Sequence, residues 1–177
     1  MDIEAQVETL RAAIRDVPDF PKPGIVFKDI TTLLRDAALF RRSLDLLTVV
    51  CGDLAADKVV AIESRGFILG GALADRLGAG FVPVRKPGKL PGKARQASYE
   101  LEYGKDTLEI HDDALRSGER VLVVDDVIAT GGTARAVAEL CDSFGARLVG
   151  FAFLVELGFL HGRAKLEGRE VRSLIRY

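Results

Sequence analysis

Residues 121–133, VLVVDDVIATGGT, indicate the fold of this chain more clearly than any other stretch. Residues 121–124 form a short apolar run rich in β-branched side chains, which is typical of a strand buried on both faces. Asp125 and Asp126 then stand at the predicted carboxyl end of that strand, where open α/β sheets bind their ligands. The stretch therefore predicts a parallel sheet with a binding site at its edge.

A turn of small and hydroxyl residues follows the two aspartates and leads into a predicted helix. Apolar residues recur at helical spacing from Ala134 to Phe144, and Gly145 stands where a glycine commonly ends a helix. Residues 130–133 are therefore predicted to bind phosphate. The N–H groups at a helix start are free to donate, the glycines permit close approach, and the hydroxyl groups are further donors. The preceding carboxylates, which can only accept hydrogen bonds, suit the vicinal hydroxyls of a ribose.

Other proteins also carry an apolar strand that ends in two acids. A Walker-B element would need a G-x-x-x-x-G-K-[ST] loop, which this sequence lacks. In phosphorelay receiver domains the motif stands near the start of the domain, whereas here it lies in the last third of the chain. A haloacid-dehalogenase D-x-D motif fails because Val127 occupies the second acidic position. A purely structural strand–turn–helix remains an alternative.

Strand and helix patterns alternate along the rest of the chain. Helical apolar faces occur near the start and after Asp36, which is well placed as an N-cap. The pattern predicts an α/β fold with a largely parallel, doubly wound sheet flanked by helices. No linker or repeat interrupts it, so residues 1–177 are predicted to form a single domain. The predicted core strands are 59–62, 81–84, 121–124 and 148–154, with helices at 66–78 and 131–144 and a final strand at 171–175.

Composition and charge narrow the class of protein. Hydrophobic residues make up 48% and charged residues 29% of the chain, as in ordinary globular domains. The 25 basic and 26 acidic residues leave a net charge of −1, so no overall attraction to nucleic acid or an anionic membrane is expected. The N-terminus does not resemble a secretory signal, and the longest apolar stretch is too short to span a bilayer. Cys51 and Cys141 lack C-x-x-C spacing and are predicted to be buried free thiols, which suits a cytoplasmic protein.

Residues 121–133 resemble the phosphoribosyl pyrophosphate (PRPP) signature of the type I phosphoribosyltransferases, and the rest of the chain looks like the adenine-specific branch of that family. The resemblance implies transfer of the 5-phosphoribosyl group of PRPP to N9 of adenine in purine salvage, giving AMP and pyrophosphate. It also implies Mg²⁺ held by substrate and water, a homodimer, and a flexible hood at about residues 85–105. The further matching stretches are residues 20–30 (FPKPGIVFKDI), 63–67 (ESRGF), 84–92 (VRKPGKLPG), 97–105 (ASYELEYGK) and 155–158 (VELG).

Residues 63–66, ESRG, again place a predicted strand end before a helix start, which suits an anion. By resemblance Glu63, Ser64 and Arg65 belong to the loop that binds pyrophosphate. An arginine in this position is by itself more often part of a surface ion pair.

Residues 85–95 hold five basic and no acidic side chains, spaced by prolines and glycines. We expect these like charges to repel one another and the segment to be mobile before a ligand binds. A solvated basic loop or a nucleic-acid patch remains the alternative. The resemblance assigns to pyrophosphate Arg85, Lys86, Lys89 and, further along the hood, Tyr103.

The resemblance also assigns the catalytic groups. Glu102 matches the hood glutamate that transfers a proton or orients N9, and Glu100, two positions earlier, remains an alternative. Closure of the hood would exclude water from PRPP. Asp125 and Asp126 would hold the ribose diol and stabilise developing positive charge. The phosphate of PRPP and AMP is assigned to Ala129, Thr130, Gly131, Gly132 and Thr133.

The site for the base is carried by resemblance alone. Residues 20–30 contain two prolines and a glycine and are predicted to be a loop. Val26 and Phe27 in this segment, with Leu157 on the other side, are assigned to adenine; without the resemblance all three would be taken as core residues. One residue's backbone N–H and C=O can match N1 and the 6-amino group of adenine and mispair with hypoxanthine.

Two rival functions remain open. A regulator that senses purine or PRPP without catalysis would need a DNA-binding element or an RNA-binding basic face, and neither is visible in the sequence. A transferase specific for 6-oxopurines would usually read O6 with a lysine, and Lys165, the only lysine after Thr133, stands too late. His111 and His161 are isolated and are expected to be structural or exposed.

Overall fold

The computed structural model describes residues 2–100 and 105–177. Its helices are α1 (Ile3–Ala13), α2 (Thr31–Leu34), α3 (Ala37–Cys51), α4 (Arg65–Leu77) and α5 (Gly132–Ser143). Its strands are β1 (Arg15–Pro18), β2 (Val26–Asp29), β3 (Lys58–Ile62), β4 (Gly80–Val84), β5 (Ala94–Glu100), β6 (Lys105–His111), β7 (Arg120–Ile128), β8 (Arg147–Glu156) and β9 (Val171–Arg176). Short 3₁₀ segments cover Gly52–Leu54, Gly158–Leu160 and Gly162–Leu166.

The central sheet has five parallel strands in the order β4-β3-β7-β8-β9. Strand β3 pairs with β7 in a register that sets Val60 opposite Val123. Helices cover both faces, which confirms the predicted doubly wound α/β fold. The strands run as nearly continuous apolar segments because both of their faces are buried.

Two clusters of buried side chains fill the space on either side of the sheet. On one face, α1, α3 and α4 contribute Leu10, Leu47 and Leu69. On the other face, α5 packs together with β6 and contributes Val137 and Cys141. Cys51 and Cys141 are both buried free thiols, as predicted. Helices α1, α3, α4 and α5 thus bury the apolar stripes that their sequence periodicity indicated.

Local signals in the sequence place most of the helix ends. The Asp36 carboxylate accepts from the N–H groups of Ala38 and Leu39 and caps α3, as predicted. Gly145 follows α5 with a φ of 68°, and its N–H group donates to the Asp142 carbonyl oxygen. Strand β7 runs to Ile128, four residues beyond the predicted end, because its pairing with β8 continues through both aspartates.

The prediction of a loop over residues 20–30 was wrong in its second half. Val26–Asp29 forms a strand that pairs antiparallel with Arg15–Pro18. The prolines and the glycine lie in the turn that joins the two strands, where Gly24 has a φ of 85° and its N–H group donates to Asp19. The turn residues therefore mark a hairpin, and β2 exists only because β1 pairs with it.

The predicted hood contains regular structure on either side of the undescribed residues 101–104. Strands β5 and β6 form an antiparallel pair, and Leu108 and Ile110 of β6 belong to the core on the α5 side. Ala97 and Tyr99 of β5 pack against the same core. Among the described residues, no helix is long and apolar enough to cross a membrane.

Candidate active site

The candidate site lies where the order of the strands changes direction. From β3 the chain passes through α4 to the edge strand β4, whereas from β7 it passes through α5 to β8 on the other side. Loops that leave neighbouring strands in opposite directions open a crevice between their carboxyl ends. Residues 63–66 and 125–133 meet in this crevice, so two of the predicted binding segments come together by topology.

The two aspartates of β7 meet Arg65 at the start of α4. The Arg65 Nε atom lies 2.6 Å from Asp126 Oδ2, and the Asp126 N–H group donates to Asp125 Oδ1 at 2.8 Å. Gly66 also faces this group, because a Cβ atom there would lie 2.7 Å from Asp125 Oδ1. The sequence singled out both aspartates and Arg65 but gave no reason for the glycine, which the close contact supplies.

The charge on Asp125 depends on its neighbours. Loss of hydration raises the pKa of its carboxyl group well above the ordinary value, and the adjacent Asp126 carboxylate raises that pKa further. The Arg65 guanidinium opposes both effects. Burial lowers the pKa of Arg65, but the charge of Asp126, the hydrogen bond to it and the charge of Asp125 together outweigh burial, and the net shift is upward. A cation that approaches this pair would therefore favour the ionised form of Asp125.

The basic segment that follows β4 is held by acidic residues from elsewhere in the chain. Arg85 Nε lies 3.0 Å and Lys89 Nζ lies 2.6 Å from the two carboxylate oxygens of Glu63. Lys86 forms an ion pair with Asp106 of β6. The prediction that these cations repel one another was wrong for Arg85, Lys86 and Lys89, because the fold places a carboxylate next to each of them.

Glu63 is half-buried and binds two of these cations. Only 8% of its side chain is exposed, and burial acts to raise the pKa of its carboxyl group. Hydrogen bonds from Lys89 and Arg85 outweigh burial, so the net shift of that pKa is downward. The Glu63 carboxylate thus positions Arg85 and Lys89. The peptide bond between Glu63 and Ser64 is cis, which no local residue pattern indicates.

A cleft of about 470 Å³ joins the aspartates to the basic segment. Most of the residues predicted to handle ribose and pyrophosphate line it together. Arg85 lies behind Glu63, at the edge of the same cluster. The lining residues are Ile62, Glu63, Ser64, Arg65, Lys86, Lys89, Tyr99, Leu108, Asp125, Asp126 and Thr133.

The predicted phosphate loop encloses a smaller cavity of about 90 Å³ at the start of α5. Gly131 precedes the helix with a φ of 77°, a conformation that favours glycine. Its backbone lies against Gly162 so closely that a Cβ atom would overlap the Gly162 carbonyl oxygen. Sequence reasoning missed Gly162, and no local pattern marks it. The cavity is lined by Asp125, Val127, Ile128, Ala129, Thr130, Gly131, Gly132, Thr133, Ala134 and Phe153.

The three residues assigned to adenine are less closely grouped. Phe27 lies under Arg65, with the guanidinium carbon 5.6 Å from the ring centroid. Leu157 is tied to the end of β7 by its N–H group, which donates to the Ile128 carbonyl oxygen at 2.9 Å. Val26 is 47% exposed on β2 and, like Phe27 and Leu157, does not line the cleft described above. Their role in binding the base stays a prediction.

The two hood residues with assigned roles, Glu102 and Tyr103, lie outside the described part of the chain. Tyr99 and Leu108, on the strands either side of them, line the cleft. Tyr99 stands in the stretch ASYELEYGK that carried the resemblance, but it had no assigned role. Asp106 was missed, because its partner Lys86 lies twenty residues earlier in the chain.

Asp125 and Asp126 supply the kind of ligand that Mg²⁺ prefers. Magnesium takes oxygen donors, keeps several waters and is commonly shared with substrate phosphates. No group of three or more His, Cys, Asp or Glu side chains among residues 2–100 and 105–177 is arranged to hold a metal ion. Two carboxylates beside a cluster of cations therefore suit a magnesium ion that arrives with an anionic substrate.

Comparison with known proteins agrees with this geometry. Residues 47–173 match the phosphoribosyl transferase domain family. The fold and the site define a phosphoribosyltransferase. The adenine phosphoribosyltransferase of Geotalea daltonii is 56% identical over 97% of this chain and 100% of that protein, and that of Desulfitobacterium hafniense is 56% identical over 93% and 95%. The chain belongs to the adenine phosphoribosyltransferase family.

Solved structures of adenine phosphoribosyltransferases are also similar to this chain. The crystal structure of adenine phosphoribosyltransferase from Thermoanaerobacter pseudethanolicus has a TM-score of 0.95 and 51% identity, covering 97% of this chain and 99% of that one. The Saccharomyces cerevisiae enzyme, in complex with an imino-altritol bisphosphate and adenine, has a TM-score of 0.92 and 42% identity, with coverage of 97% and 99%.

Proposed function

We propose that this chain transfers the 5-phosphoribosyl group of PRPP to N9 of adenine, releasing AMP and pyrophosphate in purine salvage. The observation that carries the proposal is the cleft in which the paired aspartates of β7 face Arg65, Lys86 and Lys89. One side of this cleft offers acceptors for ribose hydroxyls and the other offers cations for a leaving pyrophosphate. The family to which the chain belongs supports the choice of base.

The reaction breaks the bond between the ribose C1′ atom and a pyrophosphate oxygen and forms a bond from C1′ to N9. Pyrophosphate leaves with the electron pair of the broken bond, and positive charge develops on the ribose. Asp125 and Asp126 hold the ribose hydroxyls and stabilise that charge. Glu102 accepts the N9 proton or orients N9. Mg²⁺, when held by substrate and water, would neutralise part of the charge on the leaving pyrophosphate.

The cations act on the leaving group. Arg65 reaches the cleft from the start of α4, and Lys86 and Lys89 reach it from the basic segment. Glu63 keeps Arg85 and Lys89 together at its edge, so their positions are set before substrate arrives. Preorganised charge of this kind stabilises a transition state without reorganising during the reaction. Tyr103 is proposed as a further pyrophosphate contact, by family resemblance alone.

The 5′-phosphate is proposed to bind in the small cavity at the start of α5. Backbone N–H groups of residues 129–133 and the positive end of the helix dipole supply its donors. The pocket for adenine is proposed between Phe27 and Leu157, with Val26 at its rim. A backbone N–H and C=O pair there would accept the adenine edge and mispair with hypoxanthine.

Three further features belong to the proposal. Magnesium is proposed as the cofactor, held by substrate oxygens and water, as the resemblance implies. A homodimer is proposed by family resemblance, and the exposed apolar side chains of Ile68 on α4 and Phe81 on the edge strand β4 offer surface for it. A cytoplasmic location is proposed because Cys51 and Cys141 are buried free thiols, as is usual in reducing compartments.

Turnover with PRPP and Mg²⁺ and, separately, adenine, hypoxanthine, guanine and orotate tests the reaction. AMP and pyrophosphate formed only with adenine support the proposal. Turnover only with another base would show that the assignment of Val26, Phe27 and Leu157 to adenine is wrong. Binding of PRPP without turnover of any base would instead support a regulatory sensor.

A pair of hood variants tests the proposed chemistry. Glu102→Ala is expected to lower kcat by about 10²- to 10⁴-fold while PRPP still binds. Glu100→Ala is the matched control, two residues away, and is expected to keep kcat. If Glu100→Ala loses turnover and Glu102→Ala keeps it, the catalytic carboxylate is Glu100.

A further inference from the structure

Lys86 lines the cleft, and its charge is already paired with a carboxylate of the same chain. Its ammonium group forms an ion pair with the Asp106 carboxylate. Tyr99 donates its hydroxyl to Asp106 Oδ2 at 3.0 Å, and the Thr107 N–H group donates to the other oxygen at 2.9 Å. Lys86, Tyr99 and Thr133 all line the cleft, whereas Asp106 stands behind them at the start of β6.

Asp106 thus connects the basic segment to β5 through Lys86 and Tyr99. Thr133, at the start of α5, lines the same cleft. Burial acts to lower the pKa of Lys86, but the hydrogen bond to Asp106 and nearby negative charges outweigh it and raise that pKa. Lys86 is therefore a full cation in the resting site.

An anion that reaches Lys86 must also come close to Asp106. The Lys86 side chain is 41% exposed on the cleft side, and that of Asp106 is 21% exposed. An incoming phosphate oxygen would share the ammonium group with a carboxylate, and two anions at one cation repel each other. Lys86 can offer its full charge to the anion only while it is not paired with Asp106. The apparent affinity of the site for the anion is therefore the intrinsic affinity multiplied by the fraction of time that Lys86 is unpaired.

We propose that Asp106 is a counter-ion that competes with pyrophosphate for Lys86 and thereby sets how tightly this chain holds PRPP and releases pyrophosphate. Asp106 acts through Lys86 and is a positioning residue. The inference rests on the proposed function, since pyrophosphate is the anion in question. It concerns a residue that belongs to none of the segments that carried the resemblance, since the last of those in the hood ends at Lys105.

Asp106→Asn tests the inference, because an amide oxygen can still accept from Tyr99 but carries no charge. Calorimetry with pyrophosphate and Mg²⁺ is expected to show roughly two- to fivefold tighter binding, the range for a partly exposed ion pair. The KM for PRPP is expected to fall by a similar factor, and kcat to fall if pyrophosphate release limits turnover. A merely structural role would instead weaken binding.

Two further variants make the test specific. Asp113→Asn removes the same charge from an exposed turn residue that forms no ion pair among the described residues, and it should leave pyrophosphate affinity unchanged. In a Lys86→Met background, Asp106→Asn should have no effect on that affinity, because the competition needs both partners. Asp106→Ala and Asp106→Ser remove the same charge and must shift affinity in the same direction, which keeps the test valid if one variant does not fold.

The inference is overturned if Asp106→Asn binds pyrophosphate equally or more weakly, or if the tightening persists in the Lys86→Met background. Wild-type turnover with adenine is measured alongside. If the wild-type chain forms AMP but Asp106→Asn does not tighten binding, only this inference fails. If the wild-type chain forms no AMP, the proposed function fails.

Discussion

The backbone of Gly131 lies against the backbone of Gly162, so closely that a Cβ atom on Gly131 would stand 3.0 Å from the Gly162 carbonyl carbon and overlap its oxygen. The contact is reciprocal, since a Cβ atom on Gly162 would lie 3.0 Å from the Gly131 nitrogen and overlap the Ala129 carbonyl oxygen. The phosphate loop therefore rests on the Gly162–Leu166 segment. Gly131 is required by this contact as well as by its positive φ.

We predict that Gly162→Ala displaces the phosphate loop without touching a ligand. The added methyl group would overlap the Ala129 carbonyl oxygen and crowd the Gly131 nitrogen and the Ile128 side chain, so the loop itself must shift. The KM for PRPP is expected to rise by at least about tenfold, since misplacement of a binding group by a fraction of an ångström is costly. Steady-state kinetics measure this. Gly71→Ala, which meets no atom within 4 Å, is the control and should leave the KM unchanged.

A second prediction separates stability from activity within α4. A Cβ atom on Gly66 would lie 2.7 Å from Asp125 Oδ1, so Gly66→Ala should move this proposed catalytic carboxylate and lower kcat by about 10²-fold. A Cβ atom on Gly70 would overlap the Ala61 side chain in the core, so Gly70→Ala should cost about 1–3 kcal/mol of unfolding free energy. Folded Gly70→Ala protein should keep its kcat. Equal loss of kcat in both variants would contradict the distinction.

A third prediction concerns the raised pKa of Asp125. Between the ordinary pKa of 3.8 and its raised value, the folded chain binds more protons at this group than the unfolded chain does. The unfolding free energy therefore falls as pH rises through this window. Asp125→Asn removes the effect, so its stability relative to wild type should increase from about pH 4 to about pH 8. Urea denaturation at both pH values measures it.

The same variant should lose turnover by about 10²-fold or more, because the amide cannot stabilise positive charge as the carboxylate does. Asp113→Asn, at an exposed position, is the control for both measurements. A relative stability of Asp125→Asn that does not change with pH would show that the carboxyl group titrates normally.

A fourth prediction concerns the support of the Gly162–Leu166 segment. Glu156 is 3% exposed and accepts from Arg163 Nη2 at 2.7 Å and from the Ser173 hydroxyl at 2.5 Å. Arg163→Gln would remove the nearer cation from this buried carboxylate, leaving only Arg176 Nε at 3.6 Å, and should cost about 1–3 kcal/mol. Arg169→Gln breaks an exposed pair with Asp142 and should cost less than about 1 kcal/mol.

The stabilisation by the pair of Arg163 and Glu156 depends on pH, and the pKa of Glu156 gives its direction. Burial raises the pKa of Glu156, but the hydrogen bond from Arg163 and other partners outweigh burial and lower it below 4.5. The stabilisation is therefore present above about pH 4.5 and is lost as pH falls through the lowered value. Thermal unfolding of wild type and Arg163→Gln across this range should show the difference in stability shrinking in acid. A constant difference would contradict it.

The strands and helices of the central layer could be predicted because their signals are local. The apolar run at 121–124 and the N-cap at Asp36 depend on residues within a few positions of each other. Strand β2 could not be predicted in the same way. Val26–Asp29 carries no strong pattern of its own, and the prolines before it suggested a loop, whereas pairing with β1 makes it a strand.

The candidate site also has one part that local sequence predicts and another part that depends on tertiary contacts. The sequence by itself determined that two carboxylates and a glycine-rich turn follow a buried strand, since backbone preference and hydrophobic periodicity act between near neighbours. Only the tertiary structure decided which acid neutralises which cation, as in Glu63 with Lys89 and Asp106 with Lys86. It alone also brought Gly162 beneath Gly131. These contacts join residues twenty or more positions apart, and their distances depend on how the sheet and its helices pack.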